Sequence, residues 1–260
     1  MSILTKLYSV YRAKGLHPVT GYNSHHFFGW RDAPFTFFLE GSEISGCAGL
    51  ALQEIMFLEH LGKYLSPANC LIIGNAMGWS TLATALTFPK AKTVGLDNSD
   101  VLGIELTNEA FETLGLSGGA VLAESPNDIN SVASKHLNGP IDFVLIDALH
   151  DNEAIQADFH AVRKHASPDC VYLFHDVINW NMLNGFKQLL DDSCLNGRVL
   201  TRTASGMAIA FSSNLSTECL DYINVFCDDT NFFKHYRHAV RRKVDHLALF
   251  DQDLPENSQH

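Results

Sequence analysis

Two acids and two histidines stand at the ends of two apolar runs. Ile141–Ile146 is followed by Asp147 and His150, and Cys170–Phe174 by His175 and Asp176. A carboxylate closing a fully apolar strand is costly unless it is paired or bound to a metal. An imidazole with an ordinary pKa of about 6.5 suits a general base at neutral pH. Asp147 and His150 are therefore the candidate catalytic pair, with His150 taking a proton from a substrate hydroxyl. The competing role for His150 is a hydrogen bond within its own loop. Asp147, His175 and Asp176 form a candidate site for Mg²⁺ or for a softer ion with an N/O preference. Adjacent strand residues point to opposite faces, so His175 and Asp176 share one site only if the chain turns there.

A second group lies upstream. The apolar run Leu71–Ile73 ends in Gly74, and Asn75, Ala76, Met77, Gly78, Trp79, Ser80 and Thr81 follow. A further run, Thr93–Leu96, ends in Asp97 and Asn98. Strand, glycine-containing turn, helix and an acid closing the next strand form the layout that holds nucleotide-like cofactors. Glycines let the backbone approach the ligand, and the acid accepts from ribose hydroxyls. The competing role for Asp97 is to cap the helix near Val101. Ala76 is tolerable in the turn unless its φ is positive.

The elements that must position these groups alternate. Strands are expected at Cys70–Ile73, Thr93–Leu96, Ala120–Ala123, Ile141–Ile146 and Cys170–Phe174. Helices are expected at about 80–88, 101–114, 128–137, 152–165 and 181–191. Two closing strands, Arg198–Thr203 and Met207–Phe211, flank a tight link. This predicts an α/β, Rossmann-like doubly wound sheet, mostly parallel, with helices on both faces and an antiparallel terminal hairpin. The spacing of Leu50, Ile55, Leu58 and Leu61 predicts an earlier helix from Ile44 to Tyr64. The expected organisation is an aromatic-rich, irregular N-terminal segment or lid over residues 1–44, a cofactor-binding domain over 45–213, and a helical extension over 214–260. His25 and His26 are polar contacts within the segment, and its aromatics offer surface for a homodimer.

The 260 residues are 46% hydrophobic and 18% charged, a globular balance. A net charge of −11 disfavours nucleic acid and anionic membrane as partners. The Lys234–Lys243 run reads as the solvated face of a helix. No apolar run is long enough to span a bilayer, and the N-terminus has no signal-peptide core. Six cysteines without a C-x-x-C pair fit free thiols in a reducing compartment. The expectation is a cytoplasmic protein acting on a small molecule.

Taken in order, these motifs resemble the class I S-adenosylmethionine (SAM)-dependent methyltransferases, closest to small-molecule O-methyltransferase-like families. The resemblance covers roughly Ser45 to Phe211. Ile72–Thr81 is similar to the family's motif I, E-I-G-x-G-x-G-x-S-T; Gly95-Leu-Asp97 is similar to the ribose-holding element. Val121–Ser125 resembles the segment that reaches the adenine, which makes Glu124 and Ser125 candidates there. Pro140–His150 resembles the fourth-strand element, and Leu173–Asp176 the pair closing the fifth. The resemblance implies SAM as cofactor, held by Gly74, Asn75, Ala76, Gly78, Ser80, Asp97, Asn98, Glu124, Ser125 and Asp147. It also implies a divalent ion at the acids and methyl transfer to a hydroxyl. Two departures stand out: Ile72 replaces the usual acid and Ala76 the middle glycine. They keep open a non-catalytic module on a decayed methyltransferase fold. The glycines alone also allow an NAD(P)-dependent oxidoreductase.

Overall fold

The computed structural model describes residues 2–20, 35–99 and 101–227. The readings of His25, His26 and Lys234–Lys243 lie outside the described residues.

The central strand β4 (Asn69–Ile73) is buried along its whole length, as an apolar strand covered on both faces must be. β5 (Lys92–Asp97) and β6 (Gly118–Leu122) lie to one side of it in parallel. β7 (Ile141–Ile146) and β8 (Ala166–Phe174) lie in parallel on the other side. β9 (Asn196–Leu200) and β10 (Met207–Phe211) close the sheet as an antiparallel hairpin, with β10 between β8 and β9. The strand order is β6-β5-β4-β7-β8-β10-β9. The chain reverses its direction of winding at β4, so the crevice between the ends of β4 and β7 is where such a sheet binds ligands.

Helices cover both faces. α5 (Ile129–His136), α6 (Asn152–Arg163) and α7 (Leu183–Ser193) bury Val132, Phe159 and Leu189 against one face. On the other lie α3 (Trp79–Thr87), α4 (Val101–Leu114) and α8 (Thr217–Val225), with Leu82, Leu106 and Ile223 inside. None of the described helices is long and apolar enough to cross a membrane.

The N-terminal part departs from expectation. Its described residues form regular elements: α1 (Ile3–Ala13) buries Ile3, Leu7 and Tyr11, a four-residue spacing that marks a helix face. A small antiparallel sheet follows, made of β1 (Leu16–Val19), β2 (Phe35–Glu40) and β3 (Glu43–Leu50). The helix expected from Ile44 starts only at α2 (Leu52–Leu61). Ile55, Leu58 and Leu61 do form its buried face, whereas Leu50 ends the strand. The Trp79 indole N–H donates to the Leu50 carbonyl at 3.0 Å, and the Tyr11 hydroxyl to the Met77 carbonyl at 2.7 Å. These bonds tie the small sheet and α1 to the turn after β4. Met77 and Trp79 are thereby core residues.

Candidate active site

A crevice of about 890 Å³ opens at the carboxyl ends of the parallel strands. Gly74, Asn75, Ala76, Ser80, Asp97, Asn98, Glu124, Ser125, Asp147, His150, His175 and Asp176 line it. Phe35, Asn179 and Trp180 add to its walls. Gly78 does not line it. With φ of +84°, Gly78 starts α3, and a β-carbon there would meet the Thr107 hydroxyl at 2.1 Å. Its glycine serves close packing on α4. Gly74 likewise lets β4 meet β7: a β-carbon would lie 1.9 Å from the Asp147 carbonyl oxygen.

The Asp97 carboxylate accepts from the Ala76 backbone N–H at 2.8 Å and, through its other oxygen, from the Ser99 N–H at 3.1 Å. It therefore pins the turn after β4 to the end of β5. Carboxylate oxygens have further lone pairs, and this one faces the crevice. Toward the helix near Val101, Asp97 accepts from the Ser99 N–H and hydroxyl.

Ala76 has φ of +42°, the left-handed region that β-carbons disfavour. Ala76→Gly is therefore expected to stabilise the protein by roughly 1 kcal/mol. A melting temperature unchanged or lowered would show that the alanine methyl makes a contact that outweighs the strain.

Asp147, His150, His175 and Asp176 converge, their ligating atoms all lying within 4.8 Å of one another. The turn that the sequence required is present: Asp176 has φ of +59°, which swings its side chain to the side His175 occupies. His175 Nδ1 lies 3.0 Å from Asp147 Oδ1 and 3.2 Å from Asp176 Oδ2. His150 Nε2 lies 3.2 Å from Asp176 Oδ2 and 3.8 Å from Asp147 Oδ1. Ser80 donates to Asp147 Oδ2 at 3.3 Å. Trp180 stacks on the His150 ring, centroids 5.4 Å apart.

Sequence reasoning missed Glu54. This acid is fully buried in α2 and closes the network from behind. Its Oε2 lies 2.9 Å from His175 Nε2 and accepts from the Ala51 N–H at 2.7 Å. Its Oε1 accepts from the Ser205 N–H and hydroxyl. The Ser205 hydroxyl in turn accepts from the Asp176 N–H at 3.3 Å. A charged residue on the apolar face carrying Ile55 and Leu58 was the available signal.

The charges shift proton affinities. Contacts with Asp147, then Asp176, push His150 up to about 9 against the cost of its partial burial. The ordinary imidazole value expected from the sequence is thereby corrected: beside these carboxylates His150 holds its proton at neutral pH. Burial opposes charge on His175, but the carboxylates of Asp147 and Glu54 outweigh it and hold His175 well above the ordinary range. Burial raises Asp147 and Asp176, and the two imidazoles reverse this, leaving both carboxylates below their usual range.

Residues 71–177 match the model of a family described as a methyltransferase domain. No curated protein sequence matches the chain. Among solved structures, an O-methyltransferase from Bacillus cereus, in complex with SAH, is 17% identical, with a TM-score of 0.53 over 63% of this chain and 82% of that one. The O-methyltransferase TomG from Streptomyces achromogenes, involved in tomaymycin synthesis and in complex with SAM, is 14% identical, with a TM-score of 0.54 over 82% and 91%. A structure described as an O-methyltransferase from Klebsiella pneumoniae is 17% identical, with a TM-score of 0.52 over 82% and 90%. At these identities the likeness is one of fold.

Proposed function

We propose that this chain, which carries a methyltransferase domain over residues 71–177, moves a methyl group from SAM to a hydroxyl of a small molecule. The observation that carries the reading is the convergence of Asp147, His150, His175 and Asp176 in the crevice beside the turn after β4. The O-methyltransferases sharing the fold, bound to SAM or SAH, support the cofactor. When bound, SAM supplies an electrophilic methyl on a cationic sulfur.

The protein must then hold the donor, align the acceptor oxygen and remove its proton. The Gly74–Ala76 turn, Ser80 and Asp97 bind the donor. Trp180, stacked on His150, walls the crevice there and positions a small hydroxyl-bearing acceptor, with Phe35 a further wall of the crevice. A positive charge entering beside Asp147 and Asp176 lowers the proton affinity of His150, so the neutral imidazole is free to accept the hydroxyl proton.

Asp147, His175 and Asp176, beside His150, fit a divalent cation. His175 Nδ1 is buried without an aligned hydrogen-bond partner. Glu54 engages the far nitrogen of His175, as the outer carboxylate of a metal-binding histidine does. Two carboxylates and one imidazole suit Mn²⁺ or Zn²⁺ better than Mg²⁺. A bound ion would lower the acceptor hydroxyl's pKa and fix its orientation.

The alternatives fare worse. An NAD(P)-dependent dehydrogenase would extend the sheet with a sixth parallel strand, whereas β10 runs antiparallel beside β8. A decayed module has no need of four converging titratable groups. Buried Cys70, Cys170 and Cys219 are free thiols and fit the cytoplasm.

Calorimetry with SAM, SAH and NAD tests the reading. SAM and SAH are expected to bind and NAD is not; the reverse would overturn the function. Asp97→Ala is expected to weaken SAH binding by roughly 1.5–3 kcal/mol, and unchanged affinity would remove Asp97 from the ribose site. Chelator treatment with Mg²⁺, Mn²⁺ or Zn²⁺ add-back reports the metal. No effect on melting temperature or turnover would reject it.

A further inference from the structure

The turn after β4 is strained. Gly74, Ala76 and Gly78 have φ of +92°, +42° and +84°. Glycine takes such values freely, whereas Ala76 carries a β-carbon there at a steric cost. The strain has a use: the Ala76 N–H, so placed, donates to the Asp97 carboxylate at 2.8 Å. The turn must therefore be held. Asn75 does part of this from within, its Nδ2 donating to the Ala76 carbonyl at 3.0 Å.

The other grip comes from α1, outside residues 71–177. The Tyr11 hydroxyl donates to the Met77 carbonyl at 2.7 Å. The helical bond from the Leu82 N–H goes to the Gly78 carbonyl, one residue further on. Among the described residues, Tyr11 is thus the donor that the Met77 carbonyl has. Tyr11 is fully buried, stacked on Phe38 with centroids 4.6 Å apart and packed on Trp79 at 5.4 Å. These rings fix the hydroxyl in place, and its removal leaves a buried carbonyl without a partner.

We propose that Tyr11 is a positioning residue of the donor site: its hydroxyl holds the turn in the left-handed conformation through which Ala76 orients Asp97. This rests on the reading of the crevice as a SAM site. Tyr11 does not line the crevice, so it acts on the donor through the turn. A glycine at position 76 adopts the same conformation without strain and does not need the grip. Positions 11 and 76 are therefore expected to be coupled.

The test is calorimetry of SAH binding by the full chain, below the melting transition of each variant. Tyr11→Phe is expected to weaken SAH binding roughly 3- to 10-fold. Adding Ala76→Gly is expected to repair the loss, the double variant binding within about twofold of Ala76→Gly alone. Tyr222→Phe is the control, because it also removes a tyrosine-to-carbonyl bond, the one to Phe57 at 2.9 Å, but from α8. It is expected to bind SAH as wild type does. A lowered melting temperature with unchanged SAH affinity in Tyr11→Phe would make the hydroxyl purely structural and overturn the proposal. So would a loss that Ala76→Gly leaves unrepaired, or an equal loss in Tyr222→Phe. Should Tyr11→Phe not fold, the double variant against Ala76→Gly decides, and a double variant that also fails to fold counts against the proposal. If wild type binds no SAH, the crevice is not a SAM site, and Tyr11 has no donor to position.

Discussion

Glu54→Ala is expected to destabilise the protein by roughly 3–5 kcal/mol, the largest loss of any single substitution considered. The carboxylate is fully buried and engages His175 Nε2, the Ser205 hydroxyl and the backbone N–H groups of Ala51 and Ser205. Alanine leaves all four partners in a dry interior and removes one of three carboxylates that stabilise the His175 imidazolium. The corresponding fall in melting temperature is about 6–20 °C for a domain of this size. Urea or thermal denaturation reads it directly. A loss below about 1 kcal/mol would show that water or local repacking satisfies these groups.

Glu54 also marks where sequence reasoning stops. Its partners His175 and Ser205 lie 121 and 151 residues away along the chain, and no local pattern encodes such a pairing. The parallel strands were legible for the opposite reason. Both faces of β4, β7 and β8 are covered, so each reads as a short apolar run followed by the residues that face the ligand crevice. Ile141–Ile146 and Met207–Phe211 match the observed strands residue for residue. The small sheet was not legible. β3 begins one residue before the helix expected from Ile44, because a single periodic residue, Leu50, extended a true helical face backward through a strand. Gly78 shows a third limit. Motif spacing says where a glycine falls, but not whether it makes room for a ligand or for Thr107.

His150→Ala is expected to lower kcat by about 10²- to 10⁴-fold, the range of a positioned general base, while SAH affinity stays within about threefold. The distinction follows from place. His150 stands at the mouth of the crevice, its side chain 32% exposed, stacked on Trp180 and facing Asp176. The turn and acid assigned to the donor, Gly74–Ala76 and Asp97, belong to other strands. A second readout needs no acceptor. His150 is raised to about 9 in the folded protein, against about 6.5 unfolded. A raised imidazole stabilises the fold fully below pH 6.5, and that contribution is lost as pH climbs to about 9. Chelator-treated wild type should therefore lose melting temperature over that window more steeply than His150→Ala, which keeps only the like-signed slope from His175. Equal losses of rate and SAH affinity would make His150 a structural part of the donor site. Identical pH slopes in the two proteins would show that His150 is not held protonated by Asp147 and Asp176.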